Sequence, residues 1–316
     1  MSEWIDSIRR YPPHWRLLDL LDGAVERYVP RLVVRAVPLL MLLPALLLIG
    51  LLVVGFGILA EQSLHLLDRK TYLLEDAFTL ANYAAAFSRS DYMALAIRSI
   101  VAAVALAVMT LVLGFPYAYV MVRTPSKALK KLLLCCIFFP LLLGTVVRGL
   151  AWLVVLGRDG LVNQVLGLFG LQLALIYNMT GVVIGLVQLY LPLAVFMIAP
   201  ALTAIDEDTD EAAQSLGATW TRALRTVILP MAAPGLANAF VLVMTLVFSD
   251  VAIPGILGGG RADFITNAIY RAYLETGERG VGAALCVVTT GIATGMIAVL
   301  FLARGWIARA RERRHA

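Results

Sequence analysis

Glu211-Ala-Ala-Gln-Ser-Leu-Gly217, followed nine residues later by Val227-Ile-Leu-Pro230, is a polar stretch set between long apolar runs. Asp206, Glu207, Asp208, Asp210 and Glu211 crowd its start. Carboxylates there suit the positive end of a helix dipole. Ala212, Ala213 and Leu216 favour helix, and Gly217 tolerates the left-handed conformation that ends one. Thr219 is placed to cap a second helix. In it Trp220, Ala223, Leu224 and Val227 fall at i, i+3, i+4 and i+7 on one apolar stripe. Pro230 and Pro234 are expected to break that pattern and start a membrane helix. The stretch therefore reads as a helix–turn–helix between two membrane helices. Periodicity alone leaves open an ordinary loop lying on the bilayer.

Working outward, the surroundings are apolar. Of 316 residues 61% are hydrophobic and 15% charged, and mean hydropathy is +0.86. Soluble domains sit near about half apolar and a quarter charged, so composition places the chain in the membrane class. The net charge of +5 is carried by basic residues that flank apolar runs and form no separate basic domain. That excludes nucleic acid as a partner class. Cys135, Cys136 and Cys286 lie inside apolar runs without zinc-ligand spacing and read as small buried hydrophobes. His14, His65 and His315 are isolated, so no metal cluster or catalytic triad is indicated. No secretory signal peptide is evident, because the first apolar run is long enough to span.

A spanning helix needs about 20 mostly apolar residues. Six runs qualify, roughly Val34–Leu59, Ala94–Val122, Leu132–Leu156, Leu173–Leu202, Met231–Ser249 and Val281–Ala303. Continuous apolar runs without strict alternation choose helices over a barrel. The predicted fold is an all-α membrane protein with six transmembrane helices. Residues 1–33 read as an amphipathic surface segment, 34–303 as the transmembrane domain with a loop over 204–229, and 304–316 as a basic tail. Arg9, Arg10, Arg16, Arg27, Arg31 and Arg35, then Arg123, Lys127, Lys130 and Lys131, then Arg304, Arg309, Arg311, Arg313 and Arg314 share one side. Positive charge marks that side as cytoplasmic, together with both termini and the Glu211 loop. Small-xxx-small pairs at Gly181/Gly185 and Gly291/Gly295 are candidates for close helix approach.

Glu211-Ala212-Ala213, Gly217, Val227, Leu229 and Pro230 resemble the EAA signature of ABC-importer membrane subunits, with Val227 where Ile is usual. Further segments look similar to the same permease domain. They are Tyr83, Arg98-Ser99, Gly114-Phe-Pro-Tyr-Ala-Tyr119, Val147-Arg148-Gly-Leu-Ala-Trp152, Leu156-Gly-Arg-Asp-Gly-Leu-Val-Asn163 and Leu189-Tyr-Leu-Pro192. With Asp250, Pro254 and Leu257-Gly258-Gly259 they look most like the first permease of spermidine/putrescine-type importers, although Gly255 stands where that group often has Glu. The resemblance implies a type I ABC importer permease fold in a bacterial inner membrane. It implies that Glu211, Ala212, Ala213, Leu216, Gly217 and Ala218 dock into an ATPase subunit. It also implies two cytoplasmic ATPase subunits carrying ATP and Mg, a second permease subunit forming a heterodimer, and an extracytoplasmic solute-binding protein. No cofactor is expected in this chain, which lacks a GxxxxGK[ST] phosphate loop, and no enzymatic activity of its own is expected.

Arg148, Trp152, Tyr190 and Asp250 are the candidate residues of a solute path. A charge deep in lipid costs about 2.5 kcal/mol or more, so Arg148 should face protein or water, with Asp250, Asp159 or a residue of a second subunit as candidate partners. Asp250 reads equally as an attractor of a cationic solute or as the partner of Arg148. Asn178, Gln188 and Asn238 are candidate path or interhelical groups. The expected solute is polyamine-like, with phosphonate, opine or another small organic solute as alternatives. An ion-coupled secondary transporter is the competing class, but it would call for an inverted repeat or mid-membrane carboxylates.

Overall fold

A computed structural model describes residues 31–67 and 74–315. The chain divides into two units, 1–58 and 59–316. The expected amphipathic segment over 1–33 falls almost wholly outside the described residues. In the first unit the described chain is the helix α1, Arg31–Ser63, which continues into the second. From Leu40 to Ile58 its side chains are exposed, as suits a helix solvated by lipid.

Within the second unit α1 ends at a small ribbon. β1 (His65–Leu67) pairs antiparallel with β2 (Leu74–Phe78). This pair departs from the all-helical expectation. Asn82 secures it, its Nδ2 donating to Ser63 O at 3.0 Å and His65 O at 2.8 Å. Asn82 belongs to α2, Ala81–Ser88.

The core is built by three long helices: α3 (Ser90–Arg123), α7 (Met179–Thr203) and α9 (Trp220–Ser249). Their buried positions explain the packing. Ala103, Ala107 and Ala118 of α3 are fully buried, as are Val182, Leu186, Ala194 and Ile198 of α7 and Ala232, Ala239 and Val243 of α9. Small residues let backbones approach where no hydrophobic effect drives helices together. A Cβ on Gly114 would sit 3.5 Å from Ala194 Cβ and 3.7 Å from Val195 Cγ2. The opposite face of α3, with Val101, Val104, Val108 and Val112, is exposed.

Four expected spans change in detail. The run over 132–156 is not one helix. It is α4 (Lys127–Leu141) and α5 (Thr145–Val155), and the path bends by 102° at the break. Pro140 near the end of α4 and extended Gly144 (ψ 153°) account for the break. After α5 comes α6, Leu161–Gly167. The fourth span starts at Met179, not Leu173, because residues 171–178 run without helix to Asn178, whose side chain accepts from Gly181 N at 3.1 Å.

The fifth span starts at Trp220, not Met231. Pro230 stands at the first positions of the α-helical stretch Leu229–Ser249, as expected, and Pro234 lies inside it. A π-turn over Leu224–Ile228 precedes Pro230, where the missing proline N–H and ring interrupt the regular ladder. The last helix, α12 (Arg279–His315), runs through the boundary expected at 303/304. Between α9 and α12 lie α10 (Ala252–Gly258) and α11 (Ile265–Tyr270), the latter closing on a π-turn over Arg271–Glu275. Among the described residues five helices are long and apolar enough to cross a membrane, and six if the bent pair counts as one span.

The cysteines correct another expectation. Cys135 and Cys136 are exposed on this chain and only Cys286 is half-buried; all are free thiols. Apolar composition around the first two did not translate into burial.

Candidate functional site

The polar stretch folds into α8, Glu207–Ser215, and a sharp turn. Gly217 adopts φ +83°. Leu216 N donates to Ala212 O and Ala218 N to Ala213 O, both at 3.1 Å. The second bond spans five residues and closes the helix end in the manner glycine permits. Leu216 points outward, 90% exposed. Glu211 lies on α8, and its side chain is outside those described. Thr219 precedes the next helix, but its side chain does not cap it. The Thr219 carbonyl accepts from Arg222 N and Ala223 N instead.

The expected stripe of Trp220, Ala223, Leu224 and Val227 is only partly buried. Ala223 and Ile228 are the inward positions, while Trp220 is 52% exposed with its ring edge-on to Tyr119 at 6.0 Å. The π-turn adds a residue to the turn, so burial steps from Ala223 to Ile228 and passes Val227 by. The second arm of the helix–turn–helix is thus the start of spanning helix α9. At this end Arg123 Nη2 of α3 also donates to Ile205 O at 2.9 Å. One Gly turn therefore joins α8 to a helix that belongs to the core.

The path candidates lie on α5, α7 and the end of α9. Arg148 Nη1 donates to Leu189 O at 3.4 Å, while its Nε is buried without a partner. Trp152 Nε1 donates to Gln188 Oε1 at 3.2 Å. Tyr190 Oη donates to Asp250 Oδ2 at 2.7 Å and stands 3.2 Å from Leu246 O. Asp250 Oδ1 accepts from Ile253 N at 2.9 Å. Arg148 and Asp250 do not pair. Asp250 instead receives the Tyr190 hydroxyl and caps α10, and it is 8% exposed.

Asp250 is one member of a fastening that the sequence reading did not assemble. Thr266 Oγ1 donates to Asp250 O at 2.7 Å, and Asn267 Nδ2 to Val251 O at 2.8 Å. Phe264 N donates to Asn267 Oδ1 at 3.0 Å, and Ile265 N to Ser99 Oγ at 2.8 Å. Tyr177 N donates to Leu257 O at 2.7 Å, and Arg271 pairs with buried Asp263 at 2.6 Å. Glycines let α10 settle between helices. A Cβ on Gly185 would lie 2.6 Å from Leu257 Cδ1, and one on Gly149 would lie 2.8 Å from Ile256 Cδ1. Gly181/Gly185 thus faces packed chain, whereas among the described residues no other segment comes within 4 Å of a Cβ on Gly291 or Gly295. A readable signal existed in Arg98-Ser99 and Asp250, but the partners Thr266 and Asn267 carry no periodicity.

No group of His, Cys, Asp or Glu among the described residues is arranged to hold a metal.

Comparison with known proteins follows the same outline. Residues 111–314 match the family described as binding-protein-dependent transport system inner membrane component. The chain is 28% identical over 253 residues to the inner membrane ABC transporter permease protein YdcU of Escherichia coli K12, covering 75% of this chain and 80% of that one. It is 27% identical over 227 residues to the spermidine/putrescine transport system permease protein PotB of Salmonella typhimurium LT2, covering 71% and 78%. The fold resembles a chain of a bacterial ABC transporter involved in the import of the acidic polysaccharide alginate, with TM-score 0.67, 18% identity, and 92% and 98% coverage. The chain belongs to the binding-protein-dependent transport system inner membrane component family, as a multi-pass inner-membrane permease subunit of an ABC importer with the type I fold.

Proposed function

We propose that this subunit forms half of the translocation path of an ATP-driven importer, with residues 206–229 as the lever on which the ATPase acts. The observation that carries this is the continuity of the α8–Gly217 turn with spanning helix α9. Glu211, Ala212, Ala213, Leu216, Gly217 and Ala218 form the docking element. Two ATPase subunits bring ATP and Mg, a second and different permease completes the path, and a binding protein delivers solute from outside. Both termini lie in the cytoplasm with α8. ATP-driven closure of the ATPases and arrival of loaded binding protein then bias the same two states of the path.

Identity with permeases named for spermidine and putrescine supports a polyamine-like solute. The chain itself offers such a cation little. Asp250 is spent on Tyr190 and Ile253, position 255 is glycine, and the half-buried charge beside the path is Arg148. The geometry supports a small solute, and the relatives alone point to its being a polyamine.

Gly217→Pro and Glu211→Lys are expected to abolish co-purification of the ATPase while the protein still inserts in the membrane. Normal co-purification of both variants would remove the lever reading. Uptake that survives ATP depletion and fails with an uncoupler would return the ion-coupled alternative.

A further inference from the structure

Two cavities open at the end of the core opposite α8. One, of about 640 Å³, is lined by Arg158, Gln172, Tyr177 and Arg261 among others. The second, of about 410 Å³, is lined by Arg98, Tyr177, Asn178, Met179, Arg261 and Ala262. They share Tyr177 and Arg261, and no carboxylate lines either one. The nearest acids are otherwise placed. Asp263 is buried against Arg271, and Asp159 does not line the cavity.

Two other arginines at this end have carboxylate partners. Arg89 reaches Glu278 at 3.5 Å, and Arg271 holds Asp263. Arg98 Nη1 donates to the carbonyls of Arg261 and Asp263 at 3.3 and 3.4 Å. That bond spends part of its fork and draws its charge against the 261–263 turn. Arg158 and Arg261 make no ion pair among the described residues. The second cavity also meets Asn178 and Met179, the N-cap and first residue of the 25-residue helix α7, whose positive dipole end adds to the arginine field. Tyr177 lines both spaces and holds a left-handed conformation, φ +57°. A bulky side chain is uncommon there, and such strain persists where surroundings enforce it. Here the Tyr177 N–H is tied to Leu257 O at 2.7 Å, and its ring lies where a Cβ on Gly259 would be.

We propose that these joined cavities are an oxyanion site, taking the carboxylate, phosphate or sulfate group of a small molecule on its way to the path. Guanidinium forks match such groups in planar, paired hydrogen bonds, and each cavity has the scale of a small-ligand pocket. Arg148, with its unpartnered Nε, continues the same sign of charge into the spans. The inference rests on the permease reading above but not on its polyamine assignment, which it replaces with an anionic solute class.

The test uses the whole importer in lipid nanodiscs, with citrate, inorganic phosphate and spermidine titrated by calorimetry. Citrate or phosphate is expected to bind, and spermidine is not. The double variant Arg158→Gln/Arg261→Gln should weaken anion binding at least tenfold, and Arg158→Lys/Arg261→Lys should retain more of it. Tighter binding of citrate than of phosphate assigns the site to an organic solute, and the reverse assigns it to a free inorganic anion. Equal anion binding by wild type and the Gln variant overturns the site, as does no anion binding by wild type. Loss of salt-sensitive binding-protein association, with small-anion binding unchanged, also overturns it and makes the arginines a docking surface. Co-purification of the ATPase with every variant separates failure of this site from failure of the permease reading.

Discussion

The two ends of the core are held by different means. Around α10 and α11, side chains reach backbone groups of distant segments. Ser99 to Ile265, Asn267 to Val251 and Thr266 to Asp250 each join parts of the chain that no single helix would hold. At the α8 end, beyond the one bond from Arg123 to Ile205 O, the main chain holds itself, through Gly217 and the carbonyls of Ala213 and Thr219, while Leu216 and Trp220 remain outside. In the proposed reading, the region that receives the ATPase keeps its apolar surface free. A region that must close a path cross-links itself. The first should therefore tolerate change in its own fold and fail in association, and the second should fail in stability.

The largest effect is expected where α10 meets α7. Gly185→Leu places a side chain where Leu257 and Ile253 already lie, and overpacking there should cost about 3 kcal/mol. Gly185→Ala should cost less, since the atoms it meets are the ends of flexible side chains. The midpoint of thermal aggregation, read by size-exclusion chromatography of the purified complex, should fall in the order wild type, Ala, Leu. An unchanged midpoint for Leu would mean that α10 is not locked against α7.

Asp250 sharpens the comparison, because it decides between fastening and solute attraction. Asp250→Ala leaves the Ile253 N–H buried without an acceptor and removes the Tyr190 partner, for a loss of about 2–3 kcal/mol. Asp250→Asn keeps an oxygen for Ile253, and its amide can donate to Tyr190 Oη while that hydroxyl turns to Leu246 O. Its loss should be about 1 kcal/mol or less, with uptake and its salt dependence unchanged. A large fall in uptake for Asn, with stability intact, would restore a direct role in drawing a cationic solute.

How much of this was legible beforehand follows the same division. The α8 turn was readable because its signals are local: acids at a helix start, alanines, and glycine where the chain must turn left-handed. Long apolar runs marked the spans for the same reason. The break at Gly144 and the π-turn before Pro230 were not readable. A proline permits a helix start, an internal kink or a wider turn, and packing against α3 and α7 chooses among them. Trp220, Ala223, Leu224 and Val227 showed a stripe of period 3.6, yet burial skips to Ile228, because the π-turn alters that period. The fastening around Asp250 was missed since Ser99 and Ile265 are joined only after the whole core assembles. Arg148 and Asp250 invited pairing as opposite charges near the same spans, but Asp250 found Tyr190 and a helix N-terminus first.

The smallest effect probes the α8 end. Gly217 has open space around its Cα, so a methyl group there meets no neighbour and only the left-handed backbone is penalised. Gly217→Ala should cost about 1–2 kcal/mol of the turn, and Gly217→Asn less, since asparagine visits that conformation more readily. Because α8 is exposed and self-contained, neither variant should move the thermal midpoint of the core by more than a degree or two. ATPase affinity should instead fall roughly tenfold for Ala at about 1.4 kcal/mol and less for Asn, measured by titrating purified ATPase onto the permease in nanodiscs. If both substitutions lower core stability and leave ATPase affinity intact, the turn belongs to the scaffold and the contrast between the two ends fails.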